Sequence, residues 1–475
     1  MGEAPIRGHR LILVVILAVA AVLRVIGLDF GLPVIGIRPD EEKILLPALS
    51  FFSGDYDPHL FNYPSLHLYL LHAALAPWYW LGMWTGHYRD WLDLLHDFQT
   101  DPTPFVIFAR GVSALLSVAS VALIYDLGRR MHSVRAGWIA ASAYAVTMGP
   151  VREAHFATVD TPQVFFMLLA LRAALILTEK NAGPREAARA VVLGGLAASV
   201  KYTGGLVMIP VSIALAGWCR QSGRSPVTWV LLGGVVSVMV FLAGSPYIVL
   251  DFEAFQESFG RIVGYFGSTP SGGSAGGGWW QLLGYLVDGL GVPVLIAGVG
   301  GLLIAMTRAT GRLVAALFIS SFLLLGIGQA LFFRYSLPLM PPLCLGLGVL
   351  TVTVLSRFRW ADRTPVMVLV AAMLVTPAAL RTLHLDRLLA APETRNRLIA
   401  WIEASVPSEA TIVTNVPIGQ IGSLRRADDA ALRRIESLEH AESRYLTRRG
   451  TAQRPDLADR DIRHDRRLRG HARLD

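Results

Sequence analysis

Four short stretches set ionisable side chains beside helix breakers at the ends of apolar runs. They read Arg38-Pro39-Asp40-Glu41-Glu42, then Arg152-Glu153-Ala154-His155-Phe156-Ala157-Thr158-Val159-Asp160-Thr161-Pro162, then Ser199-Val200-Lys201-Tyr202-Thr203-Gly204, and last Phe333-Arg334-Tyr335-Ser336-Leu337-Pro338. A carboxylate can take a proton from an attacking hydroxyl. Lys and Arg can hold and neutralise a departing phosphate. Asp40, Glu41 and Asp160 are therefore candidate catalytic acids, and Lys201 and Arg334 candidate phosphate anchors. Each also has a plainer use. Three consecutive acids suit a helix start. Asp160 suits an N-cap, with Pro162 in the first turn. His155 suits a satisfied structural histidine, and the two cations can snorkel. Lys201 lies between two apolar runs with no aqueous loop around it, and such a lysine marks function.

The elements that must position these residues are set by composition. The chain has 475 residues, 53% hydrophobic and 16% charged, against about 25% charged for a soluble domain. Disorder is excluded for most of the length, as are the collagen-like and disulfide-rich classes. Cys219 and Cys344 both sit in apolar stretches and form no zinc spacing. The net charge is +8, with three lysines (Lys43, Lys180, Lys201) among 43 basic residues. That bias fits a GC-rich bacterial genome. A basic membrane protein needs no nucleic-acid partner, because arginine gathers on cytoplasmic loops. The expected fold is an all-α polytopic membrane protein sitting in membrane lipid.

Arg7 and Arg10 precede the first apolar run, 11–28, which reads as an uncleaved span with Arg24 snorkelling outward. Further runs follow at 103–127, 134–150, 159–178, 188–200, 204–219, 226–244, 290–307, 313–329, 336–356 and 364–380, about 11 transmembrane helices in all. With the N-terminus inside, every inner loop is basic: Arg129, Arg130 and Arg135, then Lys180, Arg185 and Arg189, Arg220 and Arg224, Arg308 and Arg312, and Arg357, Arg359 and Arg363. The outer loops carry Asp29, Asp40, Glu41, Glu42, Asp55, Asp57, Asp160, Asp251, Glu253 and Glu257. This pattern holds only if the apolar stretch 60–82, with Pro64, Pro77, His67 and His72, does not cross. The first outer loop is then long, 29–102. The second large outer loop, 245–289, holds an amphipathic stretch, a glycine-rich flap and Trp279-Trp280. Its glycines have no following lysine and are no phosphate-cradling loop.

Residues 1–380 thus form the membrane module, and 381–418 begin a small outer soluble region, with a helix over Arg395 to Ala404 and a strand start over Ala410 to Val416. Beyond lies an Arg-rich tail, 419–475. Its last 55 residues hold fourteen Arg, no Lys and one aromatic, Tyr445, so disorder is expected.

In these motifs the chain resembles the C-type glycosyltransferases. It is most similar to the dolichyl-phosphate-mannose–protein mannosyltransferase family (glycosyltransferase family 39) and its bacterial aminoarabinose-transferase-like relatives. The resemblance runs over 1–417. It rests on Pro39-Asp40-Glu41, Asn62-Tyr63-Pro64-Ser65-Leu66, Ala109-Arg110, Asp160-Thr161-Pro162, Lys201-Tyr202-Thr203-Gly204 and Arg334-Tyr335-Ser336-Leu337-Pro338. It implies a first outer loop carrying juxtamembrane helices. It implies inverting transfer of a hexose or pentose from a polyprenyl-phosphate sugar donor to a hydroxyl of a protein, glycan or lipid acceptor, at the outer face of a bacterial inner membrane. Asp40 and Asp160 match the family's first- and second-loop acids, and Lys201 and Arg334 its basic positions at the carrier phosphate. Tyr63, His155 and Tyr202 are expected to line the substrate. The aminoarabinose branch has lysine directly before the loop proline. Here that position is Tyr63, which argues against lipid A modification and passes the phosphate role to Lys201. Two outer acids are also competent to bind Mg or Mn, although no compact ligand motif appears. A multi-pass transporter or flippase is the competing class. It would place ionisable residues near the bilayer midplane in repeated halves, whereas most candidates here lie at outer span ends. A catalytically dead homologue is the third reading.

Overall fold

The computed structural model describes residues 6–33, 38, 40–267, 278–358 and 364–407. The expected strand at Ala410 to Val416 and the Arg-rich tail lie outside the described residues, as do Pro39 and the glycine-rich flap. Among the described residues there are helices and no strands.

The first long helix, α1 (Ile6–Val25), is followed by three helices within 29–102, the stretch expected as the first outer loop: α2 (Glu41–Ser50), α3 (Leu66–Trp84) and α4 (Trp91–Thr100). Asp90 caps α4, its carboxylate accepting from the Leu92 and Asp93 amides. These helices share a core of their own, in which Ile44, Leu45, Leu49, Leu68, Leu71, Leu95 and Phe98 are buried. Phe105 and Val106, at the start of α5 (Thr103–Met131), join it and dock the loop onto the membrane module. Residues 66–82 of the apolar stretch 60–82 therefore lie on α3, which packs into this small core.

The membrane module continues through α6 (Val134–Val146), α7 (Met148–Ala154), α8 (Asp160–Ile176), α9 (Pro184–Val200), α10 (Met208–Gln221) and α11 (Pro226–Gly244). Next come the short α12 (Tyr247–Leu250), α13 (Phe252–Gly267), α14 (Trp279–Leu290), α15 (Val292–Ala305), α16 (Ala309–Leu325), α17 (Met340–Leu355), α18 (Thr364–Leu389) and α19 (Thr394–Ser405). Each expected span falls on a helix or a broken helix. Among the described residues five helices are long and apolar enough to cross a membrane by themselves, and the pair α14–α15, bent by 109° at Gly291, makes up to six. The others are shortened by breaks, so the helices follow the order of the eleven runs without fixing how many cross. Lipid-facing character is clearest in α11, where 17% of the apolar window is buried and Val227, Leu231, Val235 and Met239 point outward.

Close packing depends on glycine at two places. A Cβ on Gly301 of α15 would stand 1.8 Å from the Gly346 carbonyl of α17, so these helices touch backbone to backbone. A Cβ on Gly204 would stand 2.1 Å from the Ala197 carbonyl, which fixes the 3₁₀ turn after Lys201 against the end of α9.

Arg24 does not snorkel. It is wholly buried and donates to Ser117 Oγ at 2.7 Å, to its own helix at the Ala20 carbonyl, and to the Ala145 and Tyr144 carbonyls at 2.9 and 3.3 Å. The cause is the break after Val146. Carbonyls in the last turn of α6 have no intrahelical donor, and the guanidinium of α1 supplies one.

Candidate active site

Asp40 stands at the N-cap position of α2, yet its side chain makes no capping bond. Its carboxylate instead meets Arg334 Nη1 at 2.6 Å and Lys43 Nζ at 3.4 Å. Arg334 comes from a 3₁₀ segment, Phe333–Leu339, that leads into α17. Pro338 lacks the amide that an α-helix would need there, and Pro341 and Pro342 open the helix proper.

Asp160 is the first residue of α8 rather than its cap, and it too makes no capping bond. Its buried carboxylate accepts a 2.6 Å hydrogen bond from Lys201 Nζ. Lys201 stands at the break between α9 and the 3₁₀ turn Tyr202–Val207, in extended backbone. Its ammonium also lies 4.7 Å from the Tyr335 ring centre, next to Arg334 in sequence. Both plainer readings, solvated helix start and N-cap, thus give way to cross-segment ion pairs.

A third buried carboxylate, Glu153 of α7, sits between Arg38 at 3.4 Å and Arg152 at 3.2 Å. The Arg38 guanidinium covers the Phe156 ring at 4.3 Å, and that of Arg152 covers Phe333 at 4.6 Å. Sequence reasoning gave Lys43, Arg38, Arg152 and Glu153 no role, although the Arg152-Glu153 pair between two apolar runs is itself the signal of costly buried charge. Five cations (Arg38, Lys43, Arg152, Lys201, Arg334) face three carboxylates (Asp40, Glu153, Asp160), which leaves two positive charges in excess. The Nε atoms of Arg38 and Arg334 are buried donors with no acceptor among the described residues. An anion reaching either would find an unused donor.

Tyr63 lies in the same electrostatic neighbourhood. Burial first, and then the negative charges of Asp40 and Asp160 acting against Arg334, push its phenol well up. It stays protonated and can donate a hydrogen bond.

Glu41, next to Asp40, is wired elsewhere. Arg110 of α5 grips it through two bonds, Nε to Oε1 at 2.8 Å and Nη2 to Oε2 at 2.7 Å, and the Ala157 amide donates to Oε1 at 2.9 Å. Arg110 also donates to the Leu28 and Phe30 carbonyls, both at 2.8 Å. The pair clamps the start of α2 to α5. The two His155 ring nitrogens face the Val151 and Ile26 carbonyls at 2.8 and 2.9 Å, joining α7 to the end of α1. Tyr202 donates to the Phe61 carbonyl at 2.9 Å and packs edge-on to Phe259 of α13. The structure therefore gathers Asp40, Asp160, Lys201, Arg334 and Tyr63, and sets Glu41, His155 and Tyr202 in the frame around them.

A family model described as dolichyl-phosphate-mannose-protein mannosyltransferase matches residues 107–248. No curated protein sequence matches the chain. Among solved structures, the Archaeoglobus fulgidus oligosaccharyltransferase in its apo form superposes with a TM-score of 0.55 at 12% identity, over 84% of this chain and 58% of that one. A second structure of the same archaeal protein, with zinc and sulfate, gives 0.52 at 14%, over 83% and 55%. ArnT from Cupriavidus metallidurans bound to undecaprenyl phosphate gives 0.53 at 17%, over 84% and 81%. The chain thus spans little more than half the length of the archaeal protein and most of that of ArnT. At these identities the likeness is one of fold: the chain is a membrane protein whose described residues are helical, with the C-type glycosyltransferase architecture.

Proposed function

We propose that this protein transfers a sugar from a polyprenyl-phosphate carrier to an acceptor hydroxyl at the outer face of a bacterial inner membrane, with inversion at the anomeric carbon. The observation that carries this reading is the excess of two positive charges around Arg38 and Arg334, each with a buried, unpartnered Nε. A phosphodiester donor brings one negative charge, and the leaving phosphate gains another. The site is matched to the charge that grows in the reaction.

Before donor binds, Arg334 is held by Asp40 and Lys201 by Asp160. Donor phosphate competes for both cations. Once Arg334 turns to phosphate, Asp40 regains its lone pairs and takes the proton of the acceptor hydroxyl. The acceptor oxygen forms its bond to the anomeric carbon from the face opposite the phosphate. The bond from that carbon to the phosphate oxygen breaks, its electron pair staying on phosphate, where Lys201 and Arg334 neutralise it. A phosphate so held leaves without a general acid. Tyr63 donates to a phosphate or sugar oxygen, and Asp160 keeps Lys201 in place. Glu41 and Arg110 position the loop that carries Asp40. A divalent ion between Asp40 and Asp160 fits poorly, because each carboxylate already holds a cationic side chain that the ion would have to displace.

The family match and the folds of ArnT and the archaeal enzyme support this reading without fixing the sugar. The test is to incubate purified protein with a panel of labelled polyprenyl-phosphate hexoses and pentoses, with wild type beside Asp40→Asn. Release or transfer of one sugar by wild type, with anomeric inversion by NMR and loss in the variant, is the expected outcome. Binding of none of the carriers would overturn it.

A further inference from the structure

We propose that Asp57, His59 and Asp251 form a site for a divalent transition-metal ion of the zinc or manganese class, which ties the first outer loop to the second. The three side chains come from segments almost two hundred residues apart, yet one ligand atom from each lies within 4.8 Å of the others. Zinc bonds of about 2.0–2.2 Å put tetrahedral ligand atoms about 3.4 Å apart, so small side-chain rotations close the set.

The histidine is arranged as a ligand. Its Nδ1 faces Asp57 Oδ2 at 3.5 Å, while Nε2 faces Asp55 Oδ2 at 3.4 Å. A carboxylate on the far nitrogen fixes the ring's tautomer and orientation and raises its basicity toward a metal. Asp55 is the positioning residue in that scheme, with Asp57 and Asp251 as the oxygen ligands. One imidazole with two carboxylates suits zinc or manganese, whereas magnesium and calcium take all-oxygen sets. Asp57 Oδ1 accepts from the His59 amide at 2.9 Å and Asp251 Oδ1 from the Ala254 amide at 3.5 Å, but neither is in an ion pair with Lys or Arg among the described residues, so the imidazole is the titratable base that faces the two converging carboxylates.

The site also opens on a cavity. Asp55, Asp57 and His59 line a cleft of about 200 Å³ together with Glu42, Lys43 and Gln99. The Gln99 amide oxygen in that cleft is buried and accepts no hydrogen bond among the described residues. Lys43, which reaches from the cleft wall to Asp40, places the metal beside the reaction centre and distinct from it. The ion's part is to hold the start of α13 against residues 55–59.

The experiment uses the full chain in detergent, stripped with chelator and then dialysed separately against Zn²⁺, Mn²⁺ and Mg²⁺. Bound metal is counted by elemental analysis and the thermal unfolding midpoint is followed in parallel. No sugar donor is needed, so the result does not depend on the transfer reading. Wild type should take up one Zn²⁺ or Mn²⁺ per chain in preference to Mg²⁺, with a raised midpoint. His59→Ala and the nearly isosteric Asp251→Asn should abolish that uptake while keeping the metal-free midpoint. Asp55→Asn should weaken it by about 10–100-fold, and Asp160→Asn should retain it. Absence of stoichiometric zinc or manganese in wild type overturns the site. So does uptake undiminished in both His59→Ala and Asp251→Asn, or uptake lost in Asp160→Asn instead.

Discussion

Replacing Asp40 by Asn and Glu41 by Gln removes one negative charge from each of two neighbouring side chains, and the two variants are expected to fail in different ways. Asp40 touches Arg334 and Lys43, caps nothing, and sits at the edge of the site. Its loss as a base should lower turnover by about 10² to 10⁴, or about 2.7–5.5 kcal/mol on the barrier. Polyprenyl-phosphate affinity should hold or rise, because Arg334 loses the partner that competes with phosphate. Glu41 is buried and meets Arg110 twice and the Ala157 amide once. Neutralising it leaves the Arg110 charge buried without its partner, at a cost of about 3–5 kcal/mol, a large share of the about 5–15 kcal/mol that holds a typical domain folded. The two are measured in one detergent: thermal unfolding for both variants, then single-turnover transfer normalised to folded protein, then carrier binding by calorimetry. The assignment fails if Glu41→Gln unfolds like wild type and loses turnover. It fails equally if Asp40→Asn loses stability as steeply as Glu41→Gln.

Lys201→Ala should weaken carrier binding and turnover together, since phosphate is charged in ground and transition states alike; calorimetry with polyprenyl phosphate showing unchanged affinity would contradict the anchor role. Arg334→Lys should keep the charge but lose the planar fork that serves Asp40 and phosphate in turn, so turnover should fall and not return at saturating donor. Residues 29–102 should all lie outside. Asp93→Cys, in a chain with Cys219 and Cys344 replaced by Ser, should react with an impermeant thiol reagent in intact spheroplasts, and labelling only after lysis would reverse the sidedness. Burial in α3 lowers the His67 imidazole to about 4, so the unfolded chain binds that proton first as pH falls. The stability it contributes is full above the unfolded value of about 6.5 and is lost as pH falls through the folded value. Between pH 7.5 and 5 the loss should be about 2 kcal/mol. A His67→Leu chain whose unfolding midpoint drops as much as wild type over that range would refute it.

The helix order and the unusual placing of charges at span ends were readable from residue type and position alone. Hydropathy locates the runs, and a charge beside a proline or glycine locates a break. Choice of partner was not readable. Asp40 and Glu41 are one residue apart on a helix start, about 100° apart around its axis. Only the packing of α2 against α5 and the Phe333–Leu339 segment decides which carboxylate meets Arg110 and which meets Arg334. Arg110 sits inside the apolar run 103–127, and as a buried arginine it required an acid; the sequence offers Asp40, Glu41 and Glu42 as equal candidates.

Arg24 shows the same limit from the other side. Near the outer end of a lone helix, a guanidinium snorkels to water because no acceptor is at hand. In this bundle α6 breaks after Val146, and the Tyr144 and Ala145 carbonyls lie beside α1. Burial then gives Arg24 four acceptors, and it gives two open carbonyls their donor. The carbonyls that make this favourable lie 120 and 121 residues away in the chain, and hydropathy averaged over a window cannot contain them. The same holds for the site. The spacing 40, 160, 201 and 334 shows that each charge is unusual where it stands. That Lys201 meets Asp160, and Arg334 meets Asp40, follows from two 3₁₀ turns that open their spans and both pack against α8.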